Sequence, residues 1–395
     1  MLSVSRGSSC FAGRCVSSLE LVAGKIASRQ RLTQDDGVLL LRSAGLNQLG
    51  AWAQAERYRR FPEKQVTFVV DSNPNYTNVC DTDCTFCAFY RRPGEADAYT
   101  LTPEQMGEKV AAAANRGATR VLIQGGHNPA LGLDYYLNMI SYLHKEFPQV
   151  HLHLFSAPEI RAIAKYIDQS VDFVLKAFWD AGLRTIPGGG AEILTDKVRR
   201  TISVKKGTPD EWLDVHRQAH KIGYTTTATM MFGHVETDHD VVEHLDRLRT
   251  LQDETRGFFA FIPWSFKLGD TPLSATVKKE AGAGRYLRIL ALARLYLDNV
   301  PHIQGSWFSE GKKTGQLSLH FGADDFGGTL IEENVLANAQ WENRTTTPEV
   351  VRIIQDAGFV PVERTSTYEQ VKVYPGPAVA SEFNQNFAGG AYARP

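Results

Sequence analysis

Eight short runs rich in β-branched and aromatic residues recur along the chain, and between them lie segments whose apolar residues return at helical spacing. The runs are 66–70, 121–124, 151–155, 184–186, 225–231, 258–262, 302–305 and 325–328. Strands that alternate with helices call for parallel pairing through right-handed crossovers, and eight of them fit a (β/α)8 TIM-type barrel. A doubly wound α/β sheet fits the same alternation. With 395 residues, 43% of them hydrophobic, the chain has enough apolar side chains for one large α/β domain or two ordinary ones. The boundaries that follow are a short N-terminal helical extension over 1–60, a barrel over 61–373 and a tail over 374–395 rich in Gly, Ala and Pro. Extension and tail both read as peripheral.

The helical signals are local. Thr102, with Pro103 next and Gln105 three residues on, predicts a capping box opening a helix. Helices are also expected over 171–181, over 211–220 after Pro209, and over 284–297, where "GRYLRILALARLYL" is apolar on two faces and predicts a buried outer helix. In a barrel the strand ends on one face carry the chemistry. The corresponding stretches here, "QGGHNP", "FSAPEI", "PGGGAE", "FGHVET", "IPWSF", "QGSW" and "FGG", are rich in glycine and polar groups.

Net charge is −1, so nothing in the composition calls for a nucleic-acid backbone or an anionic membrane as partner. The apolar runs are too short to span a bilayer. Residues 1–19 hold no acid but lack an unbroken apolar core, which argues against a secretory signal and leaves a ragged start or an organelle-type leader. Three of the five cysteines crowd into eight residues, which fits a reducing compartment, by default the cytoplasm, better than a disulfide framework.

Those three, Cys80, Cys84 and Cys87, follow the first strand with spacing C-x3-C-x2-C. A structural zinc wants four protein ligands, usually as two close pairs, and no second pair lies at a plausible offset. A redox pair of Cys84 and Cys87 would leave Cys80 idle. The third reading is an iron–sulfur cluster, normally held by four thiolates, with one iron left open for a small molecule.

With Phe86 before the last cysteine, the motif resembles that of the radical S-adenosylmethionine (SAM) enzymes. The resemblance implies a [4Fe–4S] cluster on the three cysteines, with SAM chelating the fourth iron and yielding a 5′-deoxyadenosyl radical. It narrows over about residues 60–370. "YTNVCDTDCTFCAFYR", "LIQGGHNPALGLDYY", "TTATMMFGHVET" and "FGADDFGGTLIEENV" are similar to the radical enzymes of the futalosine route to menaquinone. "AFIPW" leans to the branch that cyclises dehypoxanthine futalosine, rather than to aminofutalosine synthase or the radical halves of deazaflavin cofactor synthase. That branch implies abstraction of the ribose C4′ hydrogen and attack of the carbon radical on the tethered benzoate. It also implies a low-potential donor such as flavodoxin or ferredoxin. A non-catalytic metal-binding barrel is the reading from a different class.

Site residues follow by position. Gln124, Gly125 and Gly126 stand where many relatives bind the methionyl amino group with Gly-Gly-Glu; His127 replaces the acid, leaving that work to backbone and Gln124. Ser156 is expected on the cofactor, and Glu159 there or capping the next helix. Glu192 is expected on the cofactor's ribose or methionyl end. Trp264 is expected to stack on adenine or on the substrate ring. His234 and Glu236 are the acid–base candidates for the ring proton, a backbone-bound histidine being the rival. Arg184, Arg344 and Lys205 are options for the substrate carboxylate. His216 and His220, at i and i+4, are expected to face solvent. His151 and His153 share one face of their strand.

Overall fold

The computed structural model describes residues 10–11, 14–15 and 18–376. Most of the segments expected to form a leader or a tail lie outside them. All eight expected strands are present: Gln65–Val69 running on past Val70 into Asp71–Ser72, then Arg120–Ile123, His151–Leu154, Thr185–Ile186, Thr225–Phe232, Phe258–Ser265, His302–Ile303 and Asp325–Gly328. Each pairs in parallel with the next, through Asp71 with Arg120, Arg120 with His151, His153 with Thr185, Thr185 with Thr225, Thr226 with Phe258 and Ala260 with His302. A single bridge from Gln304 to Asp325 and the pairing of Asp325 with Thr67 complete the circuit. The result is a TIM-type barrel with one thin seam.

Alternation along the strands sorts the side chains. Val121, Ile123, Leu154 and Ile186 are fully buried. The alternate positions Asp71, Arg120, Leu122, His153, Thr227 and Thr229 line the lumen. A barrel interior is ordinarily packed with branched aliphatics; this one is polar.

The capping box at Thr102 is present in both directions, Gln105 N–H to Thr102 Oγ1 at 3.3 Å and Thr102 N–H to Gln105 Oε1 at 2.9 Å. The helix apolar on two faces, Ala283–Tyr296, packs one side on the strand Phe258–Ser265 and the other under the helices Gln34–Ser43 and Leu46–Arg60. That corrects the peripheral reading of the N-terminal helices. Leu40, Leu49 and Ala53 have no exposed surface, and Arg288 reaches across to the Ala44 carbonyl at 2.6 Å.

Besides a short antiparallel pair of Cys10–Phe11 with Arg14–Cys15, two further strands lie beyond the eight expected ones. Val360–Arg364 runs parallel to Gln65–Val69, and Gln370–Val373 returns antiparallel to it. Between them Tyr368 stacks on His302 with ring centroids 3.5 Å apart, and Arg364 pairs with Asp325. His302 opens its strand, so this hairpin seals the barrel at the N-terminal ends of the strands.

His216 and His220 do not face solvent. Their helix, Pro209–Ile222, turns them onto the strand Thr225–Phe232, where both imidazoles contact the Thr226 hydroxyl, at 3.1 and 2.8 Å. A buried hydroxyl on the outer face of a strand needs partners, and these rings supply them.

Candidate functional site

The segment from Asn73 to Arg92 leaves the C-terminal end of the first strand and folds over the barrel mouth. Cys80 and Cys84 are buried, Cys87 is half-buried, and all three are free thiols. The loop is tethered on two sides: Thr85 N–H donates to the Ile202 carbonyl at 2.9 Å, and the Thr85 carbonyl accepts from Leu273 N–H at 2.8 Å. Among the described residues the three sulfurs do not gather within the 4.8 Å that marks a single-ion site; that set is Cys80, Asp81 and His127. A tetrahedral zinc with sulfurs at about 2.3 Å would draw them to roughly 3.8 Å from one another.

Burial disfavours the thiolates of Cys80 and Cys84, and nearby donors partly oppose it. Burial pushes the Cys84 thiol up to about 12, with the neighbouring Lys206 ammonium pulling the other way. His127 N–H donates to Cys80 Sγ at 3.2 Å. The imidazole of His127 contacts Thr82 Oγ1 at 3.0 Å, and burial lowers its pKa to about 4, so it stays neutral. Lys206 lies 5.0 Å over the Phe86 ring and 2.7 Å from Glu192 Oε1. Burial works against its charge, but Glu192 and Cys84 more than offset that and hold the ammonium above the ordinary lysine range. Sequence gives no sign of this role for Lys206, because a lysine pair after a short helix reads as surface.

The Gln124–Gly126 turn passes against this loop, which explains its glycines. A Cβ on Gly126 would stand 2.1 Å from the Val79 carbonyl oxygen, and one on Gly125 2.6 Å from the Tyr76 ring. The turn is held by Glu159. Its Oε1 accepts from Gly125 N–H at 2.9 Å and Tyr76 O–H at 3.0 Å, its Oε2 from Ser156 N–H at 2.7 Å and Ser156 O–H at 2.6 Å. Glu159 thus caps the helix Ala157–Tyr166 and anchors the neighbouring strand end together. The Ser156 hydroxyl is committed to that cap.

Below the mouth lies a cavity of about 210 Å³. Gln124, Glu192 and Gly188–Gly190 line its upper part; Leu122, Ile262, Trp264 and Phe308 form apolar walls; Asp71, Arg120 and His153 lie deeper. The glycine turn is strapped to strand Thr225–Phe232, with Gly188 N–H on Thr227 Oγ1 at 2.9 Å and Thr229 Oγ1 on the Gly188 carbonyl at 2.7 Å. Gly189 is needed because a Cβ there would meet the Gln124 amide at 2.3 Å. Glu192 holds φ +46°, a left-handed conformation stabilised by its ion pair and by Met231 N–H on its carbonyl at 3.0 Å.

His234 and Glu236 are not among the residues lining this cavity. Glu236 accepts from Gly233 N–H at 2.7 Å and His234 N–H at 2.9 Å. His234 accepts from Val235 N–H at Nδ1, 2.8 Å, and its Nε2 donates to the Met231 carbonyl at 2.9 Å. Both ring nitrogens are used by the turn itself, so the geometry gives the pair a structural place. Arg184 lies over Trp179, Arg344 is 85% exposed, and Lys205 pairs with Asp83; none lines the cavity.

Residues 74–248 match the radical SAM superfamily, and residues 255–375 match the CofH/MqnC C-terminal region. The chain is 39% identical over 357 residues to cyclic dehypoxanthine futalosine synthase of Halalkalibacterium halodurans, covering 90% of this chain and 96% of that relative. It is 40% identical over 357 residues to aminodeoxyfutalosine synthase of Thermus thermophilus, covering 89% and 96%. In fold it resembles methylornithine synthase (PylB), with TM-score 0.67 and 18% identity over 92% of this chain and 99% of that one.

Proposed function

The chain belongs to the radical SAM superfamily, in the branch carrying the CofH/MqnC C-terminal region, and from that premise we propose that it cyclises dehypoxanthine futalosine in menaquinone biosynthesis. Membership implies a [4Fe–4S] cluster and SAM as cofactors. When bound, they would supply the 5′-deoxyadenosyl radical that removes the ribose C4′ hydrogen; the carbon radical would then add to the substrate's own benzoate ring, and loss of one electron and one proton would restore its aromaticity.

The chain's residues have the remaining tasks. Cys80, Cys84 and Cys87 would hold three irons; their number, their C-x3-C-x2-C spacing along the chain and their status as free thiols support this. His127 N–H and the Lys206 ammonium offset thiolate charge. Gln124 and the backbone of Gly125–Gly126 take the methionyl end of SAM, with Glu192 beside it as acceptor for hydroxyl or amino groups. Trp264 and Phe308 offer aromatic faces and exclude water from the reacting atoms. Holding sugar and ring in attack geometry is an orientation task, and the rigid strand ends suit it. The working unit is 61–373, with the helices of 18–60 as its cover. The electron donor is of the flavodoxin or ferredoxin class. No helix among the described residues is long and apolar enough to cross a membrane, and three free thiols suit the cytoplasm.

One observation carries the reading: under the mouth that the cysteine loop covers, a cavity of about 210 Å³ runs from Asn75, Gln124 and Glu192 down between the apolar walls of Leu122, Ile262 and Trp264. The test is anaerobic turnover of reconstituted enzyme with SAM, reductant and C4′-deuterated dehypoxanthine futalosine. Deuterium in 5′-deoxyadenosine together with cyclised product supports the proposal. The similarity to the Thermus thermophilus synthase favours a second reading, in which adenosine is built into the product and no 5′-deoxyadenosine is released.

A further inference from the structure

We infer that the deep end of the cavity is a carboxylate subsite, in which Arg120 anchors the benzoate of the substrate and thereby sets how far up the barrel the ribose stands. The inference rests on the proposed substrate. Among the described residues lining the cavity, Arg120 is the one Lys or Arg. It is 6% exposed, and one end of its guanidinium pairs with Asp71 through Nη2. Its Nε is buried without a partner, and among the described residues its hydrogen bond runs from Nη2 to Asp71, leaving Nη1 free of one. A buried guanidinium with unused donors is costly unless a ligand completes it.

The acidic neighbours have partners of their own, so the unused donors of Arg120 are not claimed by a second carboxylate of the protein. Asp71 is served by Leu330 N–H at 3.0 Å as well as by Arg120, and Arg364 beneath is paired with Asp325. Glu192 is paired with Lys206, and Glu333 accepts from the backbone of Val335, Leu336 and Ala337. His153 adds no second positive charge. The Thr185 hydroxyl donates to the Leu152 carbonyl at 3.2 Å, so its lone pairs receive His151 Nε2–H and His153 Nδ1–H, each at 2.8 Å. His153 is therefore the neutral Nδ1–H tautomer, and burial keeps it so. One guanidinium beside a neutral imidazole matches a monoanionic carboxylate better than a phosphate dianion.

Distance agrees. From Arg120, which opens its strand, to Gln124 just past its end is four residues, about 13 Å at roughly 3.3 Å each. An aryl carboxylate seated at Arg120 would leave its ring between Leu122, Ile262 and Trp264 and the attached sugar near the Gln124–Gly126 turn.

The test compares dehypoxanthine futalosine with its benzamide analogue on the holoenzyme. Wild type is expected to show a KM for the amide raised about 10–100-fold, the range of one charge-assisted contact. Arg120→Met combined with Asp71→Asn removes the buried pair as a unit, which spares the fold the isolated charge that Arg120→Met alone would leave. That enzyme should keep its cluster and its affinity for SAM while treating acid and amide alike. Equal KM for acid and amide in wild type, or an undiminished preference in the double variant, overturns the subsite. The analogue comparison needs no variant, so equal KM values overturn the subsite even if the double variant fails to fold. Wild type that turns over neither compound overturns the parent reading and the subsite with it.

Discussion

Glu159→Gln is the sharpest single perturbation the site offers, because it keeps the side-chain volume and changes only what the carboxylate can accept. Four donors converge on Glu159: two backbone N–H groups, from Gly125 and Ser156, and two hydroxyls, from Tyr76 and Ser156, arranged as one of each kind on each oxygen. An amide has one acceptor oxygen and must turn its NH2 toward one of these pairs. The hydroxyl there can rotate and accept; the backbone N–H cannot. Either orientation therefore leaves one buried N–H unpaired and weakens the remaining bonds to neutral ones, together a loss of about 2–4 kcal/mol. Urea unfolding of the apo-protein followed by circular dichroism should show a lower midpoint at unchanged m. If the amide faces Gly125, the turn beside the cysteine loop is displaced, and the KM for SAM should rise about tenfold at undiminished iron content. A midpoint corresponding to less than about 0.5 kcal/mol of destabilisation would refute the claim that all four donors depend on the charge.

Cys80→Ala, Cys84→Ala or Cys87→Ala should each abolish reductive SAM cleavage while far-UV circular dichroism stays that of wild type, since the ligands sit on a loop outside the core; Cys10→Ala and Cys15→Ala should cleave SAM normally. Lys206→Met removes the cation that faces Cys84 and Glu192, so an EPR-monitored redox titration should find the cluster potential tens of millivolts more negative, and an unchanged potential would remove the charge-offset role. His234→Gln should lower thermal stability yet leave the ratio of cyclised product to 5′-deoxyadenosine at its wild-type value; accumulation of uncyclised material would return His234 to the chemistry. Burial lowers the pKa of His127, His151 and His220 to about 4 and of His244 to about 3. The unfolded chain protonates these rings near 6.5, so their contribution to stability is complete above that pH and is lost as pH falls toward 4. These four rings alone should steepen unfolding of the apo-protein below pH 6.5 by a slope approaching four protons, about 5 kcal/mol per pH unit near pH 5, and His153 and His216, which burial also holds neutral, add to it; a slope under one proton would refute neutral burial.

What sequence revealed and what it hid divide along one physical line. The outer faces of the strands are apolar in the ordinary way, with Val121, Ile123 and Leu154 pressed on helices, so periodicity found every barrel strand. The inner faces are polar, and a polar residue in a pattern carries no sign of which neighbour satisfies it. Arg120 at the head of its strand reads as a solvated end until register sets it opposite Asp71. His216 and His220 show helical spacing but not that Thr226 waits beneath them. His234 has the residue type and strand-end position of a base, and only the closed hydrogen bonds of its own turn reveal that both nitrogens are spent. The closing hairpin was invisible for another reason: Val360 pairs with Gln65 across almost the whole chain, and no local signal encodes so distant a partner. Ser156 and Glu159 are the exception, since Ser-x-x-Glu before a helix is itself a capping signature. Its polar atoms could be assigned from sequence because a cap's partners lie within three residues; the lumen's partners lie on other strands. That difference in range explains why Arg120 and His153, rather than the more conspicuous His234, emerge as the polar groups that meet the cavity.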